Sequence, residues 1–190
     1  DATQFYAIDA HPAAGVILGG TQDNGTFRYR SGTSWAELTG GDGGYPGVPA
    51  AGTPLYSSSQ NLAIYRTPYD AAQSDWGYIC DGIADSEQAY RLTWNPVAQR
   101  WEQLLVCGTA GQANKSQIIA PIVLDPNNDK RMLAGGQSLW ASNDVSTGIP
   151  QWRSIKAPLA VDPNFGRPPY VSAIAVAPGN QNIVWVGYTD

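Results

Sequence analysis

The sequence predicts an all-β fold assembled from repeated four-stranded antiparallel units. Three observations predict it: a composition that favours turns over helices, the lack of helical periodicity, and a grammar of apolar runs and turn residues that recurs along the chain. The 190 residues include 21 glycines, 14 prolines and 11% aromatic residues, a mixture suited to short strands joined by tight turns. No window sustains apolar residues at three- and four-residue spacing. The length is enough for one domain with a real core.

Charge narrows the classes of partner. Charged residues make up 14% of the chain, the net charge is −5, and the 11 lysines and arginines are scattered singly. Without a basic stripe interleaved with aromatics, nucleic acid is not an expected partner. No polybasic segment points to anionic lipid. The longest polar-free runs, such as Ile118–Leu124, are too short to cross a bilayer, so no membrane insertion is expected. The chain starts at Asp1 without a signal peptide, as a mature product or a trimmed chain does. Cys80 and Cys107 belong to no CxxC or His/Cys metal pattern, and His11 is the only histidine. They are either a disulfide or two buried thiols. Sparse lysine, acidity and abundant Asn, Gly, Ser and Thr fit an exported protein and favour the disulfide.

The repeats follow in chain order. His11-Pro-Ala-Ala-Gly15 and Val48-Pro-Ala-Ala-Gly52 each precede a strand-like run, Val16–Thr21 and Thr53–Ser58. A second run then ends in Tyr29-Arg30 or Tyr65-Arg66, and a tryptophan follows, Trp35 or Trp76. A third copy reads Ile122-Val-Leu-Asp-Pro126-Asn-Asn, Arg131–Gly136, Ser138–Ser142 and Trp152. A fourth opens at Ile174-Ala-Val-Ala-Pro178-Gly-Asn and runs through Ile183–Gly187. The prolines at 12, 49, 126 and 178 are thus 37, 77 and 52 residues apart. A β-propeller blade of four antiparallel strands takes about 40–50 residues, so the long gap holds either an extra blade or one blade with a long insertion. Residues 81–117 contain no x-Pro-x-Asn turn followed by an apolar strand pair, and an insertion is therefore expected. Within it, Gln88–Trp94 and Arg100–Cys107 read as an antiparallel pair around Asn95-Pro96.

These boundaries predict one propeller segment: blade 1 over residues 1–44, blade 2 over 45–80, the insertion over 81–117, blade 3 over 118–169 and a partial blade 4 over 170–190. Three and a half blades do not close a ring, so the chain is expected to be part of a propeller of about six to eight blades. The tryptophans at 35, 76, 152 and 185 are expected in the blade core. The a–b turns are expected at Pro12–Gly15, Pro49–Gly52, Asn127–Lys130 and Gly179–Asn182.

Gly19-Gly-Thr-Gln-Asp-Asn-Gly25 followed by Gly40-Gly-Asp-Gly-Gly44, and Ala120–Asn128 followed by Leu133-Ala-Gly-Gly136, resemble bacterial secreted BNR/Asp-box repeat proteins. These are relatives of sialidase, xyloglucanase and sortilin-type propellers. The resemblance covers nearly the whole chain outside residues 81–117 and implies a secreted or cell-surface bacterial protein. The Asp-box, Ser/Thr-x-Asp-x-Gly-x-Thr-Trp, is degenerate here: Ser142, Asp144, Gly148 and Trp152 keep its residue types with wider spacing, and Gly32–Trp35 keeps its second half. The resemblance implies a structural turn in which Asp144 binds the turn's own amides. The arginine cluster and Phe/Tyr-Arg-Ile-Pro segment of sialidases are missing, since Phe27-Arg-Tyr-Arg30 does not supply them. The xyloglucanase Asp-Gly-Gly is matched only by Asp42-Gly-Gly44, at a different place in the blade.

In a four-stranded meander the b–c turns and the d–a links between blades share one face. The long links Thr39–Pro46, 81–117 and Ala157–Pro169 therefore place candidate binding loops there. Asp23 and Asp42 fall on that face, flanked by Gln22 and Tyr45. They read as a carboxylate pair for acid/base work on a glycoside, as oxygen ligands for Ca²⁺, or as turn and link caps. Trp94, Trp101 and Tyr90 read as a sugar-stacking platform or as packing for a small hairpin. His11 reads as structural, and Ser57–Ser59 lies on a strand without a nucleophile elbow. With no complete catalytic constellation, the leading reading is a non-catalytic binding or assembly module engaging a polysaccharide or protein. A fragment of a glycoside hydrolase and a structural subunit of a surface assembly are the alternatives.

Overall fold

The computed structural model of the chain describes residues 3–67 and 77–189. It is all-β, built of antiparallel sheets. Sheet 1 is a meander of β1 (Phe5–His11), β2 (Val16–Thr21), β3 (Gly25–Ser31) and β4 (Ser34–Thr39). Sheet 2 repeats the order with β5 (Pro46–Gly47), β6 (Leu55–Ser58), β7 (Ile64–Thr67) and β8 (Gly77–Tyr78), and a 3-10 turn at Gln60–Leu62 joins β6 to β7. A separate hairpin follows, β9 (Ala89–Asn95) with β10 (Arg100–Cys107). Sheet 3 contains β11 (Ile122–Asp125), β12 (Asn128–Gly135), β13 (Leu139–Ser142) and β14 (Trp152–Lys156). Finally β15 (Val171–Ala177) pairs with β16 (Asn180–Tyr188).

The sheets are layered face to face in chain order. Val16, Leu18 and Leu38 of sheet 1 bury against Val48 and Leu55. The opposite face of sheet 2, with Tyr56 and Ile64, meets Ile122, Met132 and Ala134 of sheet 3. Leu133, Leu139 and Ala141 then turn to Val176 of β15. Inner sheets covered on both faces need apolar residues at successive positions, which is why Met132-Leu-Ala134 is continuous instead of alternating. Each such side chain contributes about 1.5–3 kcal/mol on burial.

Two glycine pairs at the end of a second strand make this layering possible. A Cβ on Gly20 would lie 1.8 Å from the Gly44 carbonyl oxygen, and one on Gly136 would lie 2.5 Å from Asp85 Cβ. Both Gly-Gly sequences mark points where another segment crosses close to the strand: the link after β4 at Gly20, and the loop carrying Asp85 at Gly136.

Several expectations are corrected. Trp35 is 37% exposed and Trp185 59% exposed, so neither is core. Trp35 lies on β4 against the rings of Phe5 and Tyr29, and Trp185 sits on β16 beside exposed Ile183. Trp152 is half-buried against the sheet 2–sheet 3 core, and Trp76 lies outside the described residues. The turns expected at Asn127–Lys130 and Gly179–Asn182 are shorter. Asp125 pairs with Asn128, and Ala177 with Asn180, leaving two-residue turns at Pro126-Asn127 and Pro178-Gly179. Gly179, at φ +81°, permits the second of these.

Candidate functional site

The glycine-rich motifs form a clasp between sheets 1 and 2. The β2–β3 turn, Gln22–Asn24, holds Asp23 in the left-handed region at φ 62°, which Asp tolerates. The link after β4 returns alongside it: Gly43 donates its N–H to the Thr21 carbonyl at 2.9 Å, and Gly44 to the Ser58 carbonyl at 2.7 Å. Asp42 Oδ1 accepts the Asp23 N–H at 2.7 Å, and Asp42 Oδ2 accepts from Gln60 Nε2. The structure thus brings Gln22, Asp23 and Asp42 together, with both Asp42 oxygens engaged by N–H donors. Those donors turn positive dipole ends toward the carboxylate, a donor set that does not suit a cation. Among the described residues no group of three or more His, Cys, Asp or Glu side chains gathers to hold one. Tyr6, which no sequence signal marks, joins this cluster; partial burial, then the charges of Asp42 and Asp23, raise its phenol pKa.

Tyr45 belongs elsewhere. Its N–H donates to Ser58 Oγ at 2.7 Å, and its side chain lines a groove of about 650 Å³ between β1, β5 and β11. Among the residues lining that groove, Asp9 accepts the Val48 N–H at 2.7 Å and Asp129 the Ala50 N–H at 3.0 Å. The carboxylates there fasten the turns of neighbouring sheets.

Trp94 and Trp101 stand on the hairpin. They pair across its strands, with ring centroids 5.7 Å apart and planes at 65°. Strand alternation places Tyr90, Leu92, Trp94, Trp101 and Gln103 on one face, and all five are exposed. The side chains do not pack the hairpin onto the sheets, as one reading of the sequence had it. They face outward, Trp101 with 65% of its surface exposed.

The base of the hairpin is fixed in several ways. Cys80 and Cys107 form a disulfide with Cα atoms 5.4 Å apart, both fully buried in the core. Arg91 makes a bidentate pair with Asp81 at 2.9 and 3.1 Å. Glu87 donates its N–H to the Asn61 carbonyl at 2.8 Å, and Asn61 donates to Ile118. The base therefore sits beside the β6–β7 connection that also carries Gln60. Burial raises the Glu87 carboxyl pKa, opposed by a hydrogen bond from Asn61.

Ser142, Asp144, Gly148 and Trp152 lie along the β13–β14 connection. Asp144 Oδ1 accepts the Ser146 hydroxyl at 2.6 Å and its N–H at 2.8 Å, which hold the carboxyl below its usual range. Ser142 Oγ donates to the Asp144 carbonyl at 3.3 Å. Arg66, on β7, donates to the carbonyls of Val145 and Gly148 at 2.8 and 2.7 Å. Trp152 donates its indole N–H to the Ile79 carbonyl at 2.6 Å. The turn ties sheet 3 to sheet 2.

Sequence reasoning missed Asp85. It is 4% exposed, and its Oδ2 accepts the Ser138 N–H at 2.8 Å and the Trp140 indole N–H at 3.0 Å. Nothing in the Asp85-Ser86 neighbourhood announces this, because both donors come from residues more than fifty positions away. No helix among the described residues is long and apolar enough to cross a membrane. In comparisons with known proteins, no family model, no curated protein and no solved structure matches the chain.

Proposed function

We propose that the chain is a run of β-propeller blades of the Asp-box kind, and that it serves as a non-catalytic polysaccharide-binding module of a secreted or cell-surface bacterial protein. The observation that carries this reading is the outward aromatic face of the β9–β10 hairpin. Tyr90, Trp94 and Trp101 lie exposed on an arm whose base is held by a buried disulfide. Rigid aromatic rings with polar tips provide flat apolar area at little entropic cost, and an exposed apolar patch on a rimmed, rigid element marks an interaction site. The four-stranded meanders layered face to face support the blade assignment. Exposed Ile8, Ile17 and Trp35 on sheet 1, with Ile183 and Trp185 on β16, support further blades, from this protein or another chain, covering both ends. The disulfide supports an oxidising compartment.

Asp42, engaged on both oxygens, supports a clasp role over acid/base work on a glycoside. The test incubates the chain with a panel of soluble and insoluble polysaccharides, measuring retention and newly formed reducing ends. Retention without new reducing ends is expected. Release of reducing ends that stops in Asp42→Asn would turn the reading toward a glycoside hydrolase.

A further inference from the structure

We propose that the aromatic face of the β9–β10 hairpin takes an uncharged polysaccharide chain and discriminates against acidic ones. This rests on the binding-module reading and adds the chemistry of the ligand.

The observation is a segregation of charge across the hairpin. Alternation sends Tyr90, Leu92 and Trp94 of β9, and their cross-strand partners Leu105, Gln103 and Trp101, to one face. That face carries no acid and no base other than the Tyr90 phenol, whose hydroxyl donates to Gln88 Oε1 at 2.9 Å. The hairpin's charges all lie at the other positions, and they are paired: Arg91 with Asp81 at 2.9 Å, and Arg100 with Glu102 at 2.8 Å. The Asn95 amide also holds Glu102 at 2.9 Å, away from the aromatic side.

A ligand on this surface therefore meets flat rings, the Leu92 side chain and the Gln103 amide, and no counter-charge. A uronate or sulfate group placed there would lose water without gaining a cation, which is unfavourable. The net charge of −5 adds long-range repulsion toward a polyanion. The C–H faces of neutral sugar rings suit the rings, and their hydroxyls suit the amide. From Tyr90 to Trp94 the strand extends about 13 Å, room for a short run of sugar units along β9.

The experiment is affinity electrophoresis of the full chain in gels containing hydroxyethyl cellulose, galactomannan or polygalacturonate, at low and high salt. One or both neutral polymers are expected to retard the chain equally at the two salt concentrations, since no ion pair is screened. Polygalacturonate is expected not to retard it. Trp94→Ala and Trp101→Ala are each expected to weaken the neutral interaction about tenfold, close to 1.4 kcal/mol, with the melting temperature preserved because both rings are exposed. Retardation by polygalacturonate that fades with salt overturns the neutral-ligand inference and leaves the binding-module reading standing. Neutral binding unaffected by either substitution also overturns it, by locating the site elsewhere. Retardation by none of the polymers defeats both, and a chain that instead self-associates through Trp94 and Trp101 makes the face a protein contact.

Discussion

Asp42 accepts the backbone N–H of Asp23 at 2.7 Å across nineteen residues of chain, so the two aspartates that the sequence offers as a catalytic pair are joined as cap and turn. The bond fixes the β2–β3 turn of sheet 1 to the link that enters sheet 2, and Gln60 closes the clasp from the far side. Removing the carboxylate leaves an exposed turn N–H without its partner. Asp42→Ala is therefore expected to cost about 0.5–2 kcal/mol, as the loss of a side-chain cap does. Polysaccharide binding should persist in the folded fraction. Denaturant unfolding beside a binding assay checks it; lost binding at unchanged stability would return Asp42 to the site.

The clasp also separates two kinds of glycine requirement. Gly20→Ala places a methyl 1.8 Å from the Gly44 carbonyl oxygen and must push the link away, at a cost of about 1–3 kcal/mol or more. Gly41→Ala meets open space but keeps a backbone at φ +74°, so only the left-handed strain of about 1 kcal/mol applies. Thermal melting of both variants is expected to rank Gly20→Ala clearly lower.

The disulfide closes a loop with a sequence separation of 27 residues. Replacing both Cys80 and Cys107 by Ser is expected to lower stability by about 3–4 kcal/mol in the chain-entropy account. Intact mass after alkylation without reductant should show no added label on the native chain. Two labels under those conditions contradict the pairing.

Acid should loosen the junction between sheet 3 and the β15–β16 pair. Burial alone would raise the Asp125 carboxyl pKa, but the Asn127 N–H groups and Arg131 outweigh it and hold it below its usual range. A depressed pKa contributes stability above the unfolded value of about 4 and loses it as pH falls through the folded value. The melting temperature should therefore drop below about pH 4. Asp125→Asn leaves the nearly buried Arg131 without its counter-charge. That change is expected to cost about 3–5 kcal/mol at neutral pH, with a flatter acid limb.

Residue order alone determined the repeating antiparallel units. Proline turns, the apolar run Met132-Leu-Ala134 and the Gly-Gly pairs are local signals, written at the spacing of the strands they make. The hairpin around Asn95-Pro96 was legible for the same reason, since its strands are neighbours in sequence. Tertiary structure decided everything that depends on distant partners. Asp42 became a cap because the Asp23 N–H and the Gln60 amide converge on its two oxygens, and Asp85 became an anchor because Ser138 and Trp140 arrive from sheet 3. Trp35 and Trp185 turned out exposed although their spacing matches that of core tryptophans, because burial requires a covering layer that spacing does not supply. Trp94 and Trp101 face outward for a related reason: alternation tells which residues share a hairpin face, but only packing tells whether that face meets protein or water.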